Sequence, residues 1–253
     1  MNVLELFSGT GSVGKVCKEY GCNVISVDNE LTATHTEDIL TFDYKQYPRD
    51  YFSIVWASPP CANYSLVKNC WLGRPLKQIG GKIYTLEIRE ELRKESDKLG
   101  IKALEIIDYF KPMAWFMENP DGSDLKNREF MKGLPYYVVD YCMYSDWGYR
   151  KRTRIWTNIK GFKPLLCDNN CGNMIEKQHN QVLGNGYEMI NGKKVLCNTK
   201  EKRDKLRKHK MGIGIGKKEI EAGQVSVRGS STDKLMRYRI PPVLIDNLLF
   251  AVK

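Results

Sequence analysis

Apolar runs that each stop at a polar residue organise the first half of this chain. Val3–Phe7 stops at Ser8, Cys22–Val27 at Asp28, Tyr51–Ala57 at Ser58 and Ala114–Met117 at Glu118. Runs this short predict buried strands rather than helices. A further strand is expected to end near Glu37-Asp38-Ile39-Leu40, and a hairpin-like pair over Tyr136–Tyr144 and Arg154–Asn158. Between the runs, Lys15–Tyr20 predicts a short helix that Gly21 stops. Glu87–Phe110 predicts a long amphipathic helix with Leu92, Leu99, Ala103, Ile106, Ile107 and Phe110 as its buried stripe. Val243–Val252 predicts a closing helix that returns to the first domain. Strands alternating with helices predict an α/β fold, whose open sheet presents ligands at the C-terminal ends of its strands.

The turns between these elements carry the chemistry. Gly9, Gly11 and Gly14 have the G-x-G-x-x-G spacing between a strand and a helix. Without a Cβ, Gly9 and Gly11 let the backbone turn tightly and approach a ligand. Asp28, at the tip of the second strand, is placed to accept from ribose hydroxyls. The pattern predicts a nucleoside-cofactor site and leaves NAD and S-adenosylmethionine both open. Asp38 could meet the exocyclic amine of an adenine or merely cap a turn.

Further on, Pro59 and Pro60 end their strand and deliver Cys61 on a rigid turn. A thiol presented this way is a candidate nucleophile. Glu118-Asn119-Pro120 repeats the arrangement with a carboxylate, so Cys61 and Glu118 are expected at one sheet edge. Behind Cys61, residues 63–85 carry Lys68, Arg74, Lys77, Lys82 and the pair Gly80-Gly81, which suits a lid over substrate phosphates. In a strand, Arg150, Arg152 and Arg154 share one face.

Composition narrows the class. The 253 residues, 42% of them hydrophobic, are enough for one substantial core and a small appendage. No run is long enough to span a membrane, and the opening residues go straight into a strand, so neither an anchor nor a leader peptide is expected. Eight cysteines then predict a reducing compartment. Net charge is +10, and Lys193–Lys218 holds eleven Lys/Arg against two acids, so nine of the ten excess charges sit in one block. A basic block beside a near-neutral body predicts a polyanionic partner, with nucleic acid favoured. After Pro164 the chain turns polar, and Cys167, Cys171, His179 and Cys197 could close a tetrahedral zinc site stapling a stretch with little core. Cys17, Cys22, Cys70 and Cys142 are expected only to pack.

A thiol, an acid, arginines and a nucleoside cofactor fit one chemistry well. A thiolate added to C6 of cytosine makes C5 nucleophilic enough for a methyl sulfonium. A carboxyl group near N3 stabilises the charge that develops, and arginines could hold the ring, a phosphate or the thiolate. On these residues the chain resembles the cytosine-C5 DNA methyltransferase family. Phe7-Ser8-Gly9-Thr10-Gly11-Ser12 is similar to the family's first cofactor motif, Asp28 with Asn29 beside it to its ribose-binding acid, and Asp38-Ile39 to its adenine-contacting pair. Pro59-Pro60-Cys61 with Tyr64-Ser65 is similar to the nucleophile motif, Glu118-Asn119 to the second catalytic motif, and Arg152-x-Arg154 to the arginine motif.

The matches keep the family's order over residues 3–158. The resemblance implies a Rossmann-like catalytic domain at 1–160, a small basic target-recognition region at 161–235, and a closing helix at 236–253. It also implies S-adenosylmethionine as methyl donor, Cys61 as nucleophile, Glu118 on N3, and a cytosine flipped out of duplex DNA. A monomer is expected, in the cytoplasm, or in the nucleus or a viral factory for a virus of eukaryotes. Three other readings stand beside this one: a tRNA cytosine-5 methyltransferase, a nucleic-acid-binding module with a degenerate cofactor site, and, from the glycine spacing alone, an NAD-dependent oxidoreductase.

Overall fold

The computed structural model describes residues 1–147, 149–175, 178–179, 187–190, 193–196 and 238–252. Cys197, Gly212–Gly216 and the basic block beyond Leu196 lie outside the described residues. Six strands form the central sheet: β1 (Asn2–Leu6), β2 (Asn23–Val27), β3 (Ile54–Ala57), β4 (Ala114–Pro120), β5 (Tyr136–Asp140) and β6 (Arg152–Thr157). Their order is β2-β1-β3-β4-β6-β5, with β2, β1, β3 and β4 parallel and β6 antiparallel to both β4 and β5. Helix α1 (Ser12–Glu19) joins β1 to β2, and α2 (Leu86–Phe110) leads into β4. The closing helix α3 spans Pro242–Phe250.

Apolar runs without alternation arise because this sheet is covered on both faces. Successive residues point to opposite sides, so Val3, Ile54, Trp56 and Phe116 pack with Val13, Val16, Leu244, Ile245 and Leu248 of α1 and α3. Their neighbours Leu4, Leu6, Val55, Ala57 and Met117 pack with Ala103, Ile106, Ile107 and Phe110 of α2. Full burial of each such side chain contributes roughly 1.5–3 kcal/mol. This two-sided cover fixes the sheet rigidly and leaves its C-terminal edge for function.

Four expectations change. No strand ends at Leu40 among the described residues. After one bridge, Val27 to His35, Asp38 turns the chain by accepting from the amides of Leu40, Thr41 and Phe42. Thr36-Glu37-Asp38 offers no apolar alternation to a sheet, and Ile39 alone enters the core. Helix α1 begins at Ser12, inside the glycine turn, because Gly11 supplies a left-handed start. The stripe of α2 is polar in its first half. Arg93, Ser96 and Gly100 are buried there, whereas Leu92 and Leu99 are half-exposed. The expected strand over Tyr136–Tyr144 stops at Asp140, where Tyr141–Met143 makes a single helical turn. Among the described residues, no helix is long and apolar enough to cross a membrane.

Candidate active site

The glycine turn at the C-terminal end of β1 is held by two carboxylates, Asp28 at the end of β2 and Glu5 within β1. Phe7 has a φ of 56°, left-handed backbone that costs a non-glycine residue energy and marks a site the surroundings over-determine. Ser8 donates its amide to Val27 and accepts from the Gly11 amide at 2.7 Å. Thr10 and Ser12 pair through their hydroxyls. Gly11, with φ of 66°, has nothing within 4 Å of where a Cβ would sit, so open space lies over the turn.

Asp28 does more than its position predicted. Its Oδ2 accepts the Gly9 amide at 2.8 Å, and its Oδ1 accepts those of Glu30 and Leu31. It therefore sews the glycine turn to the end of β2, with Asn29 exposed beside it. Asp38 is exposed and caps its own turn, the plainer of its two expected roles.

Sequence reasoning passed over Glu5. This residue is buried in β1 and accepts from the amides of Val13 and Gly14 at 3.2 and 3.0 Å, satisfying two orphan donors at the start of α1. A Cβ on Gly14 would come within 2.7 Å of the Glu5 carboxylate, so this glycine makes room for the acid rather than for a ligand. Burial pushes the Glu5 carboxyl up to about 7, against the pull of those two amides. An acid in the middle of an apolar run was the signal available.

Cys61 and Glu118 do come to one edge. Strands β3 and β4 are parallel neighbours with Ala57 opposite Met117, so Ser58-Pro59-Pro60-Cys61 and Glu118-Asn119-Pro120 leave the sheet side by side. Buried Asn119 fastens them, donating from Nδ2 to the Pro59 carbonyl at 2.8 Å. Cys61 is half-buried and in no disulfide. The single turn after it is moored on the polar half of α2. Asn63 donates to Ser96 and to the Leu92 carbonyl, Arg93 donates to the Asn63 carbonyl, and Tyr64 donates to Asp97 at 2.8 Å. The buried polar stripe of α2 therefore exists to hold the cysteine turn.

Lys68, expected only as one charge of a lid, stands in the electrostatic field of Cys61. Burial lowers the Lys68 pKa, and the Cys61 charge opposes that shift. Its Nζ also donates to Asn63 at 2.8 Å.

Glu118 is 6% exposed. Its Oε1 accepts from the Tyr141 hydroxyl at 2.9 Å and from Lys151 Nζ at 3.3 Å. Burial and the nearby Glu118 push the Tyr141 phenol well above its usual range, so Tyr141 stays a donor. Lys151 was overlooked between three arginines, yet the alternation that puts Arg150, Arg152 and Arg154 on one face puts Lys151 on the other.

The arginines meet acids. Arg152 forks onto Asp140 at 3.0 and 2.8 Å, Arg150 reaches the same carboxylate at 3.2 Å, and Arg154 pairs with Asp121 at 2.9 Å. Burial pushes the Asp140 carboxyl up, but Arg152, the Cys167 amide and Arg150 together hold it below its usual value. The structure thus gives these arginines a bracing position at the strand ends.

Of the four expected metal ligands, Cys167, Cys171 and His179 come together and Cys197 lies outside the described residues. The fourth member of the cluster is Cys142, expected only to pack. It escaped notice because it lies far upstream, in the turn after β5, and only the fold brings it close.

No protein-family profile matches the chain. The chain is 35% identical over 254 residues, 98% of its own length and 99% of the other's, to a protein of Frog virus 3 (isolate Goorha) named probable DNA (cytosine-5)-methyltransferase. Among solved structures, the Entamoeba histolytica methyltransferase EhMeth superposes with a TM-score of 0.51 at 15% identity, covering 100% of this chain and 97% of that one. That likeness is one of fold.

Proposed function

This chain belongs to the DNA (cytosine-5)-methyltransferase family, and from that premise we propose that it methylates C5 of a cytosine flipped out of duplex DNA, through a covalent adduct between Cys61 and C6. The observation that carries the reading is the Asn119–Pro59 hydrogen bond, which fixes the thiol turn and the carboxylate strand to each other at the ligand-bearing sheet edge.

Open space over Gly11, the tight glycine turn Ser8–Gly11 and the left-handed Phe7 fit a nucleoside cofactor at the end of β1. S-adenosylmethionine bound there would supply an electrophilic methyl group. Phe7, Ser8, Gly9, Thr10 and Gly11 would line it, with Asp28, Asn29, Asp38, Ile39 and Pro59 around it. Each of the other roles falls to the chain's own residues. Lys68 favours the Cys61 thiolate. That thiolate attacks C6 of the flipped base, and the ring electrons move towards N3. Glu118, with Oε1 held by Tyr141 and Lys151, acts as the acid: it passes a proton from Oε2 to N3 and so neutralises the charge that develops there. As C5 takes the methyl group the N3 proton returns to Glu118; transfer of the C5 proton to water then expels the Cys61 thiolate and restores the ring. Arg152 and Arg154 act as positioning residues, tying the start of β6 to the end of β5 through Asp140 and to the end of β4 through Asp121.

Bisulfite sequencing of duplex DNA incubated with protein and methyl donor tests the proposal. Methylated cytosines with wild type and none with Cys61→Ala, while Cys61→Ala still binds S-adenosylmethionine, are expected. Full activity in Cys61→Ala would overturn the covalent route. Methyl transfer to tRNA but not to duplex DNA would assign the same chemistry to RNA.

A further inference from the structure

We propose that Cys142, Cys167, Cys171 and His179 bind one structural zinc ion, which fastens the start of the region after Pro164 to the strand end that holds the catalytic acid. The four ligand atoms lie within 4.8 Å of one another. His179 Nε2 is 3.3 Å from the Cys171 sulfur and 3.6 Å from that of Cys167. A tetrahedral zinc with Zn–S bonds of about 2.3 Å has sulfur–sulfur edges of roughly 3.8 Å, so the cluster needs only a small contraction to close.

All three cysteines are buried, and none is in a disulfide. A disulfide would use two sulfurs and leave a third thiol and an imidazole crowded beside them without purpose. Three thiols and one imidazole make a complete closed set for zinc, with no position left over for a catalytic water.

Each ligand arrives from a different piece of local structure, and the surrounding bonds hold it in place. Cys142 lies in the single turn Tyr141–Met143 that follows β5. The Cys167 amide donates to buried Asp140 at 2.9 Å, which sets that ligand against the end of the same strand. Asn173 donates from Nδ2 to the carbonyls of Cys142 and Ser145 at 2.9 and 2.8 Å, a second layer of support of the kind metal sites need. The short strands β7 (Met174–Ile175) and β8 (Gln178–His179) pair antiparallel, with Met174 opposite His179, and so return the histidine to the cysteines.

The placement has a consequence for catalysis. Tyr141, whose hydroxyl holds Glu118, directly precedes the ligand Cys142, and Asp140, which braces Arg152, holds the ligand Cys167. One ion would therefore tie the recognition region's root to both the catalytic acid and the arginine strand.

Metal content of the full chain purified without chelator tests this apart from the methyl-transfer proposal, because the ion would be present whatever the substrate. One zinc per chain is expected. Cys142→Ser and Cys171→Ser should each retain less than a tenth of it, while Cys197→Ser and the control Cys22→Ser retain all. Folded wild-type protein that holds no zinc and takes up none when zinc is added would overturn the proposal. Loss in Cys197→Ser with retention in Cys142→Ser would overturn the ligand set. Should Cys142→Ser fail to fold, cobalt substitution of the wild type decides: thiolate-to-cobalt charge-transfer absorption of three-thiolate intensity is expected, and its absence would refute the site.

Discussion

Glu5 and Glu118 are both buried carboxylates in strands of one sheet, yet their partners set them to different tasks. Glu118 meets a phenol and an ammonium at the sheet edge. Glu5 accepts from two backbone amides in the interior, and burial raises its pKa from 4.5 to about 7. The unfolded chain therefore releases this proton first as pH rises. The Glu5 contribution to stability is greatest below about pH 4.5, falls through the interval to about 7 and is flat beyond. At 1.36 kcal/mol per pH unit, the loss is on the order of 3 kcal/mol. Urea denaturation across this range should show that decline in wild type. In Glu5→Gln the decline should vanish, with lower stability at acid pH, because the amide nitrogen cannot accept from the second backbone amide. Equal slopes in the two proteins would remove Glu5 as the titrating group.

Residues with a motif around them, such as Cys61 and Glu118, were legible in the sequence. Glu5, Lys68 and Lys151 were not, because each acts through a partner that only the fold supplies.

At the scale of elements, the strands were legible because burial on both sheet faces removes polar residues from whole runs. Helix α2 was legible in extent but not in orientation. Its buried half carrying Arg93 and Ser96 serves the turn after Cys61, and hydrophobic periodicity cannot announce a polar contact. The link between β3 and β4 is equally silent in sequence, since an asparagine after a glutamate gives no sign of reaching the Pro59 carbonyl. That link is testable. Asn119→Ala leaves a carbonyl without its donor, at about 1–3 kcal/mol if it stays buried, and frees Cys61 to drift relative to Glu118. A misplacement of about 1 Å can lower a rate by roughly 100-fold. Single-turnover methyl transfer should therefore slow by about 10- to 100-fold while S-adenosylmethionine affinity changes less than about twofold. A comparable loss of affinity would show that the bond serves the cofactor turn instead.

For the whole molecule, charge is distributed as unevenly as hydrophobicity. The block Lys193–Lys218 holds nine of the ten excess positive charges, whereas Arg152 and Arg154 are each paired with an acid, Asp140 and Asp121. If the block supplies long-range attraction to a polyanion and the sheet edge the chemistry, the two should separate by mutation. Each Lys or Arg that neutralises a phosphate contributes about 0.9 to the slope of log affinity against log salt on duplex DNA. Changing Lys200, Lys202, Arg203 and Lys205 together to Gln should flatten that slope by up to about 3 to 4 and weaken binding most at low salt. The rate at saturating DNA should stay within about twofold of wild type, since none of the four belongs to the cysteine, carboxylate or glycine turns. Fluorescence anisotropy over a salt series gives the slope, and single-turnover transfer gives the rate. An unchanged slope would place the block away from the nucleic acid and hand the electrostatic role to the basic segment behind Cys61, where Lys68, Arg74, Lys77 and Lys82 lie.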